Sequence, residues 1–376
     1  MSNPKTIVIL GGSYAGVLVA HTLLKKHKTC KVILVSKNSH FYWNIASVRA
    51  IIPGVIKDEE ILQPLTKALS HYPEDRWEVV VGSAEASDFA AKTVTVALGD
   101  GGDSRTLTYD HLVLATGANN AGDQSVPWKA NGTHEELVQS LRDTAERVKN
   151  ASVVVIAGGG STGVELAGEI GYEYGKTKEI YLVTGDKELL GGDSTASSAL
   201  SELAKLNVKV RTESRVQSTE NTEDGKTKVT FVGGGEPIMT DVYLPTMGMV
   251  PNTQYIDPKF LNENKYVAVD EFYRIKGGGA EGVWAAGDIV SSPRASFLIT
   301  EKQAAGVANN ILNALAGSPP AVVKPLPVDI FAMSVGRSRG VGRMGPIKLL
   351  SFMVWLAKGR NLSLPKMAGY MEGSVA

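Results

Sequence analysis

The sequence predicts an α/β protein. Two three-layer nucleotide-binding units occupy one chain, the second inserted in the first, ahead of a C-terminal α+β segment. Three observations predict it. A glycine-rich signature occurs twice, as I-V-I-L-G-G-S-Y-A-G ending at Gly16 and as V-V-V-I-A-G-G-G-S-T-G ending at Gly163. Each copy follows a short apolar run and opens a helical pattern, the order of a dinucleotide-binding βαβ unit. Beyond the second copy, residues 251–256 lead back to the first unit, and the apolar strand V-W-A-A-G-D closes it at Asp288. The boundaries read from these patterns are 1–122 and 250–325 for the first unit, 123–249 for the second, and 326–376 for the C-terminal segment.

Thr6–Leu10 reads as a buried strand, followed by a turn, a helix from about Ala15 to Lys26 and a strand at Lys31–Ser36. Residues 57–72 carry Ile61, Leu62, Leu65 and Leu69 near one helical face. Trp77–Val81 and Thr93–Ala97 read as strands. The turn-rich G-D-G-G-D-S at 99–104 then leads to Thr106–Thr108, which makes a small antiparallel meander. His111–Ala115 is a continuous apolar strand ending in Thr116-Gly117, and 118–133 is loop-like. A helix at 134–149 precedes the second strand–turn–helix–strand unit at 152–184. A second meander, punctuated at 223–226 and 233–235, leads to Tyr243–Met247 and Gly248.

The glycines carry the chemistry. In such Rossmann-like units they permit the tight strand-to-helix turn, and the helix N-terminus offers free N–H groups and a positive dipole end to a pyrophosphate. In the first copy these are Gly11, Gly12, Ser13, Ala15 and Gly16, with Ser13 where glycine is usual. In the second, Gly158, Gly160, Ser161 and Gly163 match G-x-G-x-x-G fully. An acid at the end of the following strand would hold a ribose 2′-hydroxyl. Ser36 and Lys37 stand there in the first copy, and Thr184 in the second, with Asp186 two residues on as the other candidate. Lack of an acid at Thr184 opens the second site to NADPH beside NADH. Gly287-Asp288 places a carboxylate at a strand end, suited to a sugar-alcohol hydroxyl and hence to a flavin dinucleotide.

Composition narrows the function. Lys+Arg and Asp+Glu are 39 each, so no net basic field calls for nucleic acid, and none is expected as a partner. Cys30 is the only cysteine, which excludes an internal disulfide relay. No metal-ligand spacing and no nucleophile elbow occur. The first strand begins too early for a signal peptide, no apolar run reaches the ~18 residues of a membrane span, and position 2 is Ser rather than a myristoylated glycine. A cytoplasmic protein, monomeric or homodimeric, is expected.

The order G-G-S-Y-A-G, A-T-G, G-G-G-S-T-G-V-E, T-M-G, A-A-G-D resembles the FAD/NAD(P)H pyridine nucleotide-disulfide oxidoreductase superfamily along nearly the whole chain. The loop H-F-Y-W-N-I-A-S-V-R-A and the tail motifs M-S-V-G-R-S-R-G-V-G and L-A-K-G-R-N-L resemble its apoptosis-inducing-factor-like branch, which contains the ferroptosis suppressor protein. The resemblance implies FAD in the first unit and NADH or NADPH as electron donor in the second. It implies that Arg49 contacts FAD, that the backbone at Val80 meets the adenine and that Asp288 binds the ribityl chain. It implies that Glu165 approaches the nicotinamide–flavin contact and that Lys358 lies near the isoalloxazine. Thr116, Gly117, Gly248 and Gly287 close strands beside the nucleotides. The chain departs from the branch at Ser36, where an acid is frequent, and at Ser363, where an aromatic is usual.

Pro346–Ala357 is the most apolar stretch, flanked by Lys348, Lys358 and Arg360. Read as one helix it is about 18 Å long, too short to span a bilayer. One reading makes it a core helix bordering an acceptor pocket. The other lays 346–360 at a membrane interface with Trp355 at the headgroups. With no cysteine pair, a reduced flavin hands its electrons directly to an external acceptor, and an apolar tail fits a quinone-like molecule. A flavoenzyme of a dedicated metabolite pathway and a redox-regulated signalling protein are the alternatives.

Overall fold

Unbroken runs of Val, Ile and Leu drive the central strands into parallel pairing, because such runs bury both faces of a sheet. A computed structural model describes residues 4–99, 101–122, 125–130, 132–290 and 295–376. Ser2, Asp100 of the predicted turn, and 123–124 and 131 of the predicted loop lie outside the described residues. In the first unit, Val283–Ala285, His111–Leu114, Thr6–Leu10, Lys31–Ser36 and Trp77–Asp88 lie side by side in parallel. Thr93–Leu98 and Arg105–Thr108 extend that sheet as an antiparallel meander. The second unit is a parallel sheet in the order Val208–Arg211, Glu179–Val183, Val153–Ala157, Val242–Pro245, with its own three-stranded meander. All of it lies in sequence between strands His111–Leu114 and Val283–Ala285, which are neighbours in the first sheet. Helices Tyr14–Lys26 and Ser161–Tyr174 pack their buried faces on the two sheets.

Three elements differ from the sequence reading. The 57–72 helix is broken into Asp58–Ile61 and Leu65–Leu69 by a strand at Leu62–Pro64, which pairs antiparallel with His40–Tyr42. Pro64 has no N–H to continue a helix, so the break was written in the sequence. Ala118–Asn120, inside the predicted loop, pairs with Met249–Pro251 more than a hundred residues away, a long-range partner no local pattern shows. The 346–357 helix does not form as one piece. Ile347–Lys348 adds to the antiparallel sheet of Ile330–Val335 and Arg339–Met344, and a short helix at Ser351–Val354 runs into a π-turn at Trp355–Gly359. Trp355 turns inward, its indole donating to the Arg337 carbonyl at 2.7 Å.

The C-terminal helix Pro365–Glu372 closes over the first unit. Tyr370 packs among Tyr14, Phe41, Trp43 and Phe297 at ring separations of 5.4–6.1 Å. Beneath it His21 is buried; its Nε2 donates to the Tyr370 carbonyl at 2.7 Å and its Nδ1 accepts from the Tyr72 hydroxyl at 2.9 Å. Burial drives the His21 imidazole down to about 4. The folded state therefore holds this ring neutral where the unfolded chain, near 6.5, would protonate it. Its contribution is complete above about pH 6.5 and is lost as pH falls towards 4, a loss of roughly 3 kcal/mol. Urea midpoints should fall more steeply between pH 7 and 4.5 in the wild type than in His21→Gln. Equal slopes would remove His21 from the acid sensitivity.

Candidate active site

The two glycine turns superimpose in their chemistry. Gly11 N donates to Val35 O and Gly158 N to Val183 O, both at 2.8 Å. Both glycines lie in the left-handed region, at φ 117° and 125°. A methyl group at Gly16 or Gly163 would sit 1.8 Å from the carbonyl oxygen of Gly11 or Gly158, so only glycine lets each helix seat on its strand. The helix caps Ser13 and Gly160 are extended, and neither makes a side-chain capping bond. The first-turn N–H groups of both helices therefore remain available to anionic oxygens.

Both turns open on one cleft of about 1030 Å3, at the upper end of the roughly 300–1,000 Å3 usual for small-molecule sites. Its wall takes Gly11, Gly12 and Ser13 from the first unit, Gly160 and Ser161 from the second, and Ile330–Ala332, Ala357 and Lys358 from the C-terminal segment. Ser36, Lys37, Thr116, Gly117, Gly248 and Asp288 also line it. Ala15, Gly16, Gly158, Gly163 and Gly287 do not themselves line it. The residues fit two dinucleotides: Gly160 and Gly117 face open space, and Asn120 Nδ2, buried on the wall, has no hydrogen-bond partner among the described residues.

Glu165 and Lys358 come from different units yet meet at 2.8 Å in this cleft. Glu165 Oε1 also accepts from the Ser334 N–H at 3.0 Å, and Lys358 Nζ donates to the Ala332 carbonyl at 3.1 Å. A fixed cation and its counter-ion thus stand where the two glycine turns and the C-terminal sheet converge.

Arg49, Val80, Thr184 and Asp186, picked out in the sequence, do not line the cleft. Arg49 points away from it. Its guanidinium donates to Glu169 Oε1 at 2.9 and 2.7 Å and to the Gly359 and Arg360 carbonyls, in a buried contact between the units. Only its neighbours Ser47 and Val48 reach the wall. Val80 is buried against Val35, and the wall along its strand is formed by Gly82, Ser83 and Ala84. Conversely, sequence reasoning missed Lys129, which meets Asp288 in the cleft. It lies in a stretch with no periodicity, and no signal marked it.

The family model of the pyridine nucleotide-disulphide oxidoreductases matches residues 5–310. The chain belongs to that family. Its cofactors are those of the family, FAD and NAD(P)H, and it is an oxidoreductase. It is 39% identical over 378 residues to "Oxidoreductase ptaL" of Pestalotiopsis fici, covering 99% of this chain and 100% of that one. It is 29% identical over 373 residues to the Homo sapiens ferroptosis suppressor protein 1, covering 95% and 93%. Among solved structures, the sulfide:quinone oxidoreductase of Aquifex aeolicus superimposes with a TM-score of 0.80 at 19% identity, over 98% of this chain and 92% of that one. The last similarity concerns the fold. The family is named for a disulphide, but Cys30, the only cysteine, is buried with its Sγ near the Leu23 and His27 carbonyls, and burial pushes its thiol up.

Proposed function

We propose that this protein passes a hydride from NAD(P)H to FAD and then electrons to a quinone or similarly apolar small molecule, without a redox disulfide. The observation that carries the reading is the single cleft joining both glycine turns and reaching the Glu165–Lys358 pair. Bound FAD supplies the electron-transfer chemistry; the chain binds, orients and sets the local field. In this reading residues 1–122 and 250–325 hold FAD through Gly11, Gly12, Ser13 and Asp288. Residues 123–249 hold NAD(P)H through Gly160 and Ser161. Lys358 presents a fixed positive charge to the reacting end, and Glu165 fixes its position.

The C-terminal segment 326–376 supplies the acceptor side. Ile347, Leu350, Phe352 and Leu356 are 63, 65, 58 and 56% exposed, an apolar patch continuous with the cleft wall at Ile330 and Ala357. Patches of this kind mark a partner or membrane surface. Lys348 and Arg360 flank it, which suits anionic headgroups. No helix among the described residues is long and apolar enough to cross a membrane. In this reading the patch meets the bilayer interface and admits an apolar acceptor from it.

Stopped-flow mixing tests the proposal. NADH or NADPH should bleach the flavin anaerobically, and a soluble short-chain quinone should restore it. In Ile347→Glu/Phe352→Glu, turnover with a long-chain quinone held in vesicles should fall at least tenfold while turnover with the soluble quinone is kept. Flavin reduction without reoxidation by any quinone would move the acceptor to another chemical class. Equal loss with both quinones would remove the membrane role.

A further inference from the structure

Lys129 Nζ lies 2.6 Å from Asp288 Oδ2, and both residues line the cleft. Neither side chain is more than about a quarter exposed (23% and 22%), so the pair is unlike a solvated surface contact worth about 0–1 kcal/mol. The lysine is also presented from a fixed backbone. Tyr42 OH donates to the Pro127 carbonyl at 2.8 Å, Asn44 Nδ2 to the Trp128 carbonyl at 2.9 Å, and Trp128 Nε1 to the Pro245 carbonyl at 2.9 Å. The segment Pro127–Trp128 is thereby pinned to the first unit on one side and to the second on the other. A carboxylate accepts through two oxygens. Lys129 occupies Oδ2, and Oδ1 has no partner among the described residues.

From this geometry we propose that Lys129 is a positioning residue for FAD. It holds Asp288 by one oxygen, so that the other is fixed and aimed as the acceptor for a hydroxyl of the cofactor's polyol chain. The inference rests on the reading of Asp288 as an FAD ligand. A freely rotating carboxylate would have to be ordered by the cofactor itself, at a cost in affinity. Lysine also brings the pinned linker into the cofactor site, so FAD retention depends on a segment anchored to the NAD(P)H unit.

The test is the FAD dissociation constant of the full-length holoenzyme, read from flavin fluorescence released on dilution, together with the flavin content of the purified protein. Lys129→Met should weaken FAD binding at least tenfold, and Lys129→Arg should stay within threefold of the wild type. In Lys129→Met/Asp288→Asn the affinity should match that of Asp288→Asn alone, because the lysine acts through the carboxylate. If Lys129→Met binds FAD within twofold of the wild type while Asp288→Asn is weakened, the inference about Lys129 is overturned and the reading of Asp288 stands. If Asp288→Asn itself binds normally, the reading of Asp288 fails. If the two substitutions weaken binding by independent factors, Lys129 acts on FAD directly and the positioning role is refuted. A purely structural role is likewise refuted by the arginine rescue, since packing at the linker differs between the two cations.

Discussion

Glu169→Ala is expected to destabilise the fold by about 3–5 kcal/mol, the usual effect of removing one partner of a buried ion pair. Glu169 is fully buried in helix Ser161–Tyr174. Its Oε1 takes two donors from Arg49 and its Oε2 one from Arg337 at 3.3 Å. Arg49 belongs to the first unit, and the carbonyls that complete its shell, Gly359 and Arg360, belong to the C-terminal segment. One carboxylate therefore ties together all three parts of the chain. Its loss leaves a buried guanidinium short of its counter-charge, and the cost is that of the orphaned charge. Glu169→Gln keeps the shape and one acceptor oxygen and should lose less. Denaturant midpoints measure both. A change below about 1 kcal/mol in Glu169→Ala would show that Arg49 is satisfied by the carbonyls alone.

Lys358→Met is expected to slow flavin reduction by NAD(P)H by about 10²–10³-fold with flavin content unchanged, the range for removing one preorganised electrostatic group from an active site. Lys358 is held by Glu165 and by the Ala332 carbonyl, so its charge needs no reorganisation during the reaction. Glu165→Gln keeps the hydrogen bond from Ser334 but weakens the hold on the lysine, and should show a smaller loss in the same direction. Single-turnover rates with NADH and NADPH separate this effect from acceptor turnover. Unchanged reduction in Lys358→Met would take the lysine out of the reductive step, and would leave it a structural tie between the units.

Much of the fold was legible because its signals are local. The strand runs Thr6–Leu10, Lys31–Ser36 and Val153–Ala157, and the glycines at the two turns, are fixed by burial and by backbone conformation over a few residues. Pro64 shows how a local signal is overridden by a periodic one: four apolar residues at helical spacing hid a proline that breaks the helix. The tail failed differently. Its apolar residues read as one helix, in a core or at a membrane interface, but strand Ile347–Lys348 completes a sheet edge, Val354 is buried, and Leu350, Phe352, Met353 and Leu356 stay exposed. For the site, the glycine turns, Asp288, Glu165 and Lys358 could be picked out one at a time. Arg49 could not be placed, because an arginine in sequence does not reveal which carboxylate captures it.

The sequence by itself determined that two dinucleotide units exist, that their turns need glycine, and that no disulfide can carry electrons with Cys30 alone. Those are consequences of residue identity, since only certain side chains permit a backbone angle or a covalent bond. Tertiary structure alone decided which charges meet. It joined Glu165 to Lys358 and Lys129 to Asp288 in the cleft, and withdrew Arg49 to Glu169 beneath it. Partners 120 to about 190 residues apart are chosen by how the sheets and the C-terminal segment pack, and a charge pairs with whatever opposite charge that packing brings within about 3 Å.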